Sequence, residues 1–428
     1  MPERHKIVIV GGGFGGLTAA QTLKGADVDV TLIDRRNFHL FQPLLYQVAT
    51  GGLSPANIAA PLRAVLHKQR NTRVMLSEVT GFDIPGRAVI CRDERVPFDS
   101  LILAAGATNN YFGKSEWERL APGLKSVEDA TEIRRKLLSS FEEAERRPAG
   151  PERDRHTTFV IVGGGATGVE MAGAISELAR HTLRNDFRNF DPAKSRIILA
   201  EGSGRILEAF HEKLSRKGQK ALERLGVEVW TSSKVREIQP DHVMIERGGQ
   251  LQRVETANVI WGAGVRASPL GKLLADATGA TVDRGGRVVV QPDLTIPGHS
   301  NIYVVGDMAA ATSDGKPVPG VAPAAIQQGK FAAQAIKARL AGKTDVGKFR
   351  YWDKGSMATI GRNAAVAQVG WLKLTGFIAW LAWLFVHIAY LITFTNRVLV
   401  LFQWFWSYIT RNRSARLITG KELDPYGP

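Results

Sequence analysis

Two glycine runs carry the first chemistry in the chain. Gly11-Gly12-Gly13-Phe14-Gly15-Gly16 and Gly163-Gly164-Gly165-Ala166-Thr167-Gly168 both fit G-x-G-x-x-G, through Gly11, Gly13 and Gly16 and through Gly163, Gly165 and Gly168. The first glycine allows a tight turn, the second lets backbone approach a pyrophosphate, and the third lets a helix pack on a strand. The helix N-terminus then faces the phosphates. Asp34 lies 23 residues after Gly11, and Glu201 lies 38 after Gly163, with extra residues around His181–Lys194. A carboxylate at that place accepts hydrogen bonds from ribose hydroxyls and repels a 2′-phosphate, so Glu201 favours NADH over NADPH.

The elements that must position these loops surround them. Lys6–Val10 is a short apolar run rich in β-branched residues, the pattern of a buried parallel strand. After the first loop a helix is expected over Leu17–Lys24, then a strand, Val28–Ile33, that ends at Asp34. The second copy runs through strand Phe159–Val162, helix Val169–Arg180 and strand Arg196–Ala200, ending at Glu201. Each is a βαβ unit. Three further strands end in glycine: Leu101–Leu103 before Ala105-Gly106, Val259–Trp261 before Ala263-Gly264, and Ile302–Val305 before Gly306-Asp307, with a helix at Ala324–Leu340. The charged stretch Phe141–His156 reads as a surface linker, and a second break lies near Pro292–Pro297.

The expected fold class is α/β, with two Rossmann-like dinucleotide-binding domains. One is discontinuous, 1–115 and 297–365, and the other, 116–296, is inserted in it. Two such units suggest FAD in one and NAD(H) in the other. Asp307 suits a flavin ribityl hydroxyl or a helix N-cap.

Composition narrows the class. Of 428 residues 44% are hydrophobic and 23% charged, which excludes disordered and fibrous chains. Cys91 is the sole cysteine, so an intramolecular disulfide, a redox cysteine pair and a Cys-rich metal site are excluded. No histidine spacing suits a metal. Lys and Arg outnumber Asp and Glu by 56 to 41, a net charge of +15 that draws anionic partners. Nucleic acid is not expected among them, because the basic residues are spread out and no recognition motif is visible. Ile7–Val10 is too short for a secretory h-region, and the expectation is a cytoplasmic location.

The last segment, 366–428, changes character. From Trp371 to Tyr408 it holds five of the nine tryptophans. Phe377–Phe394 is an 18-residue run without Asp, Glu, Lys or Arg, and Val398–Ile409 is a second run of 12, followed by Arg411, Arg413 and Arg416. Eighteen helical residues reach about 27 Å against a hydrocarbon core of about 30 Å. The aromatic density and the arginines point instead to an interfacial hairpin on an anionic membrane surface, through residues 371–416.

The chain resembles the type II NADH:quinone oxidoreductases, within the flavoproteins that carry two dinucleotide-binding domains. The similarity rests on the two glycine motifs, His39-Leu40-Phe41-Gln42-Pro43-Leu44-Leu45-Tyr46, Trp261-Gly262-Ala263-Gly264-Val265, Tyr303-Val304-Val305-Gly306-Asp307, Tyr351-Trp352-Asp353-Lys354-Gly355 and Thr359-Ile360-Gly361-Arg362. It implies FAD contacts at Gly11, Gly13, Phe14, Gly15, Gly16, Asp34, Arg35, Pro43, Leu44, Ala105, Gly106, Gly306, Asp307 and Ala325. It implies NADH contacts at Gly163, Gly165, Thr167, Gly168, Glu201, Ala263 and Gly264. Glu170 would position the nicotinamide or relay a proton, and Lys354 would polarise the flavin or quinone region. Gln327 matches the family's Ala-Gln-x-Ala-x-Gln quinone signature, but Pro323 replaces its first glutamine. The resemblance further implies hydride transfer from NADH to FAD, two-electron reduction of a membrane quinone without proton pumping, and peripheral attachment to the inner membrane's cytoplasmic side, often as a dimer.

Three rival readings share parts of the pattern. A sulfide:quinone oxidoreductase needs redox cysteines that are lacking. A ferredoxin-type reductase has no use for the aromatic tail. A membrane-associated NADH/flavin redox sensor would turn over quinone slowly.

Overall fold

The computed structural model describes residues 3–419. The chain divides into two compact units. One runs through Leu40, Ala59–Thr108 and Val265–Lys354; the other comprises Phe41–Ile58, Asn109–Gly264 and the chain from Gly355.

The first unit is built on a six-stranded sheet. In spatial order the strands are Thr295–Ile296, His299–Val304, Ser100–Leu103, His5–Val10, Val28–Asp34 and Thr72–Leu76. All neighbours are parallel except the short edge strand Thr295–Ile296. The break expected near Pro292–Pro297 therefore contains a strand that closes one edge of the sheet. Ile7 to Val10 are fully buried, as a strand covered on both faces requires. The first helix runs Phe14–Thr22, starting three residues before its expected place, directly on the glycine loop. Helix Ala322–Leu340 crosses it so closely that a Cβ on Gly329 would stand 2.1 Å from the Gly15 carbonyl oxygen.

The second unit repeats the design with four parallel strands, in the order Val227–Trp230, Arg196–Ala200, Thr158–Val162 and Asn258–Trp261. Its loop helix, Ala166–Glu177, continues into a π-helical turn, Leu178–Thr182. That turn and the short helix Pro192–Lys194 account for the long spacing to Glu201. The stretch Phe141–His156 is not a linker. Val127–Arg146 is a helix closed by a capping box between Ser126 and Asp129, and Pro151–His156 is another. Ala130, Ile133, Leu137, Phe141 and Ala144 recur at helical spacing on its buried face, and the charges that suggested a linker occupy the other face. Only Pro148 and Gly150, between the two helices, act as breakers.

A three-stranded antiparallel sheet, Ser356–Thr359, Ala365–Val369 and Leu372–Thr375, leads into two helices, Gly376–Tyr390 and Phe394–Thr410. Thr393 caps the second helix through the Asn396 N–H. Trp383, Leu391 and Val400 are buried on the inner face, whereas Phe385 and Phe394 are 70% and 79% exposed. Among the described residues no helix is long and apolar enough to cross a membrane. Beyond the hairpin the chain folds back: the Ala415 N–H donates to the Gly51 carbonyl at 3.2 Å. Arg413 donates to the carbonyls of Thr50 and Ala174 and pairs with Glu177 at 3.3 Å.

Candidate dinucleotide sites and a half-buried acid

The two glycine loops are built alike. Gly11 and Gly163 have φ of +106° and +105°, which only glycine adopts without strain. A Cβ on Gly11 would lie 2.4 Å from the Ala104 carbonyl oxygen. Cβ atoms on Gly16 and Gly168 would lie 1.9 and 1.8 Å from the carbonyl oxygens of Gly11 and Gly163, so both helices need glycine to pack on their own loops. Gly13 and Gly165 are the opposite case. They are the N-caps of their helices, without a side-chain cap, and a Cβ on either would meet nothing within 4 Å. Each loop thus leaves a helix N-terminus facing open space, the arrangement that receives a phosphate.

The two acids are tied into these loops. Asp34 accepts from the Gly12 N–H at 2.6 Å with Oδ2 and from the Arg36 N–H at 2.7 Å with Oδ1. Glu201 accepts from the Gly164 N–H at 2.5 Å with Oε2 and from the Ser203 N–H at 2.7 Å with Oε1. An ionised carboxylate offers about four lone-pair sites, so each keeps capacity for two hydroxyl donors. Thr167 is exposed at the start of its helix, Ala263 and Gly264 follow the strand Asn258–Trp261, and Gly264 has φ +81°.

Around the first loop, Phe14 meets His39 edge-on at 5.0 Å. His39 is buried, and its Nδ1–H donates to the Gly12 carbonyl at 2.9 Å, while Nε2 is buried with no partner among the described residues. Burial lowers its pKa to about 4, so the ring is neutral. The Ala105 N–H meets Met308 Sδ at 3.2 Å, and Gly106 has φ +69°. The Gly306 N–H donates to Gln328 Oε1 at 2.5 Å. Asp307 is not a helix N-cap, because Val321 holds that place before Ala322–Leu340. Ala325 packs against Gly15 and Gly306, and Arg35 is exposed.

In the second unit Glu170 lies in the first turns of Ala166–Glu177. It is not the solvated acid that a first turn commonly carries. Its Oε1 accepts from the Thr359 N–H at 3.3 Å, and desolvation raises its pKa from 4.5 to about 8. The Thr359 hydroxyl lies 3.1 Å from the buried Tyr46 hydroxyl, which also accepts from Gln47 Nε2 at 3.0 Å. Burial and the nearby Glu170 push the Tyr46 pKa up.

Residues 5–329 match the family model described as pyridine nucleotide-disulphide oxidoreductase, and 353–412 match the NDH2 C-terminal domain. A type II NADH:quinone oxidoreductase of Mycobacterium tuberculosis is 47% identical over 428 residues, covering 98% of this chain and 92% of that one. The chain belongs to the type II NADH:quinone oxidoreductases.

A Staphylococcus aureus member is 29% identical over 86% of this chain and 90% of its own. The structure of NDH2 from Plasmodium falciparum in complex with NADH shares the fold at 20% identity, with TM-score 0.88, over 98% of this chain and 100% of that one. As a family member the chain departs from the disulphide chemistry of the first model's description, since its one cysteine, Cys91, is buried and single. The NDH2 C-terminal match covers the three-stranded sheet and both hairpin helices.

The remaining expected residues fall as follows. Gln327 is clamped to Trp352: its Nε2 donates to the Trp352 carbonyl and its Oε1 accepts from the Trp352 N–H, both at 2.9 Å. Pro323 sits in the first turn of its helix, where a missing N–H costs no intrahelical bond. Lys354 is exposed, with its ammonium 5.5 Å from the Trp352 ring centroid. Pro43 and Leu44 form a 3-10 turn in the second unit, and Leu44 is wholly buried, which leaves its side chain a packing role. Sequence reasoning missed Tyr46, Gln47, Thr359 and Gln328. Tyr46 and Thr359 stand inside motifs quoted above, but only the folded packing shows that they meet.

Proposed function

We propose that the chain is an FAD-dependent NADH:quinone oxidoreductase that takes hydride from NADH and passes two electrons to a membrane quinone without pumping protons. The observation that carries this reading is the pair of matched loops, each with an open cradle at Gly13 or Gly165 and an anchored acid, Asp34 or Glu201. FAD fits the loop Gly11–Gly16 with Asp34, Arg35 and Asp307; NADH fits Gly163–Gly168 with Glu201. When bound, FAD supplies a hydride acceptor that can pass electrons on. The protein residues bind and orient: helix N-termini hold the phosphates, and Glu201 repels a 2′-phosphate. Glu170, kept largely neutral near pH 7 by burial, holds a proton at Oε1 or Oε2 for a reduced acceptor.

The outer hairpin face suits a peripheral seat in a membrane interface, on the cytoplasmic side of the inner membrane. Phe402, Phe405 and Ile409 are exposed along the second helix, and Arg411 follows two residues on, with Arg184 and Arg362 nearby. That order, apolar side chains and then cations, matches acyl chains below an anionic headgroup layer. Anaerobic stopped-flow on the purified protein tests the whole reading. NADH should bleach the flavin absorbance and a soluble quinone should restore it. Bleaching without recovery would move the acceptor to another carrier.

A further inference from the structure

A hydrogen-bond chain with a fixed sense joins the hairpin to the Glu170 cluster, all within the second unit. Trp404, on the second hairpin helix, donates its indole N–H to Gln47 Oε1 at 2.7 Å. Its ring lies 5.3 Å from that of Trp383, which stacks on His387 at 4.2 Å, so the indole is held in an aromatic ladder. An indole N–H can only donate. Gln47 must therefore present oxygen to Trp404 and nitrogen to Tyr46, and the Tyr46 oxygen accepts at 3.0 Å. Tyr46 then has one use for its own hydrogen, donation to Thr359 Oγ1 at 3.1 Å. Thr359 keeps its hydroxyl hydrogen for another acceptor, and its N–H already holds Glu170. Three side chains on two elements, Gln47, Tyr46 and Thr359, are thus oriented by a single donor on the hairpin, and the last of them stands on the residue whose N–H holds Glu170.

We propose that Trp404 is a positioning residue for the quinone half of the reaction: through Gln47 it fixes the direction in which Tyr46 donates, and so couples the seating of the hairpin to the Glu170 cluster. This rests on the function proposed above. The groups that face the Tyr46 hydroxyl are Glu170 and Glu177 from Ala166–Glu177, Thr359 from its strand, Gln47 from its own helix and the Arg413 guanidinium. Arg413, from the arm beyond the hairpin, pairs with Glu177. Without the indole N–H the Gln47 amide can turn over, Tyr46 donates to Gln47, and Thr359 loses its donor.

The test uses two variants of the flavin-loaded full chain. Trp404→Phe removes the donor and keeps an aromatic ring. Gln47→Glu keeps an acceptor for Trp404 but can only accept, so it reverses the Tyr46 bond while the hairpin stays attached. Both should lower kcat for a soluble quinone about fivefold, the rate equivalent of one net hydrogen bond. The quinone KM and the rate of flavin reduction by NADH should stay within about twofold. A slow Trp404→Phe beside a normal Gln47→Glu would mean that Trp404 only packs the hairpin, and would overturn the proposal, as would normal rates in both. A second readout needs no quinone. The ¹⁵N-indole resonance of Trp404, identified by its loss in Trp404→Phe, should follow Glu170 ionisation and stop doing so in Tyr46→Phe. A resonance indifferent to pH, or one that still titrates in Tyr46→Phe, overturns the coupling. Should the wild-type protein bleach with NADH and fail to recover with quinone, the functional reading falls, and the indole titration alone decides this one.

Discussion

Replacing Glu170 by glutamine tests the half-buried acid directly. Burial takes the group from 4.5 to about 8. At pH 7 about nine in ten molecules then carry the neutral acid, and at pH 9 about one in ten. If the neutral acid serves the reduced acceptor, quinone turnover falls about tenfold between those two pH values. The sign follows from the group: deprotonation removes the donor, so the rate declines as pH rises. Glutamine keeps an oxygen for the Thr359 N–H, bound at 3.3 Å in the native protein, and cannot titrate. Glu170→Gln should therefore run flat across the window and lie about 10- to 100-fold below wild type at pH 7, at or below the low end for a positioned proton donor.

Stability carries a matching signature. A carboxyl with a raised folded pKa binds a proton that the unfolded chain has already lost. That contribution is full below about 4.5 and is lost as pH rises through about 8. Thermal denaturation should show wild type losing stability across that window, with Glu170→Gln losing less. The rate assay is steady-state kcat at saturating soluble quinone, with flavin reduction followed separately. An alkaline decline that persists unchanged in Glu170→Gln would refute the assignment.

Three further outcomes are expected. Gly13→Ala should fold normally, because its Cβ meets nothing within 4 Å, yet lose FAD affinity; Gly16→Ala, whose Cβ would lie 1.9 Å from the Gly11 oxygen, should fail to fold or lose several degrees of Tm. Flavin titration and calorimetry separate the two. Phe402→Asp with Phe405→Asp, both on the exposed hairpin face, should abolish co-sedimentation with anionic phospholipid vesicles while ferricyanide reduction by NADH continues. Retained sedimentation would place the membrane contact elsewhere. Glu201→Gln should lower the preference for NADH over NADPH about tenfold in kcat/KM, and an unchanged ratio would remove Glu201 from that role.

The glycine loops were legible because their geometry is local. Positive φ at Gly11 and close approach at Gly16 are demands of a few consecutive residues, and they print themselves as glycine. The parallel strands were legible for the same reason, as short apolar runs. The helix Val127–Arg146 was lost because its charged outer face dominated a composition-based reading, while Ile133, Leu137, Phe141 and Ala144 kept a helical period on the inner one. The Glu170 cluster was only half visible. Glu170 was reached through the family resemblance, but Tyr46 and Thr359 are 313 residues apart, and no spacing rule brings them together.

The twin loops also explain why cofactor preference is difficult to separate from loop structure in this fold. Asp34 and Glu201 each spend one oxygen on the N–H of the middle glycine, Gly12 or Gly164, and another on an N–H two residues ahead. Both middle glycines are buried, so removing the acceptor leaves a donor unpaired at a cost of about 1–3 kcal/mol. An alanine at Glu201 would therefore disturb the loop and the discrimination together, and a fall in NADH affinity could not be traced to the ribose. Glutamine separates them better: its oxygen still accepts from the Gly164 N–H, its amide nitrogen cannot accept from the Ser203 N–H, and it gives up the charge that opposes a 2′-phosphate. The acid thus does two jobs with different chemical requirements, loop closure needing an acceptor and selectivity needing a negative charge. Neither job depends on the long insertion before Glu201, only on where the strand Arg196–Ala200 ends.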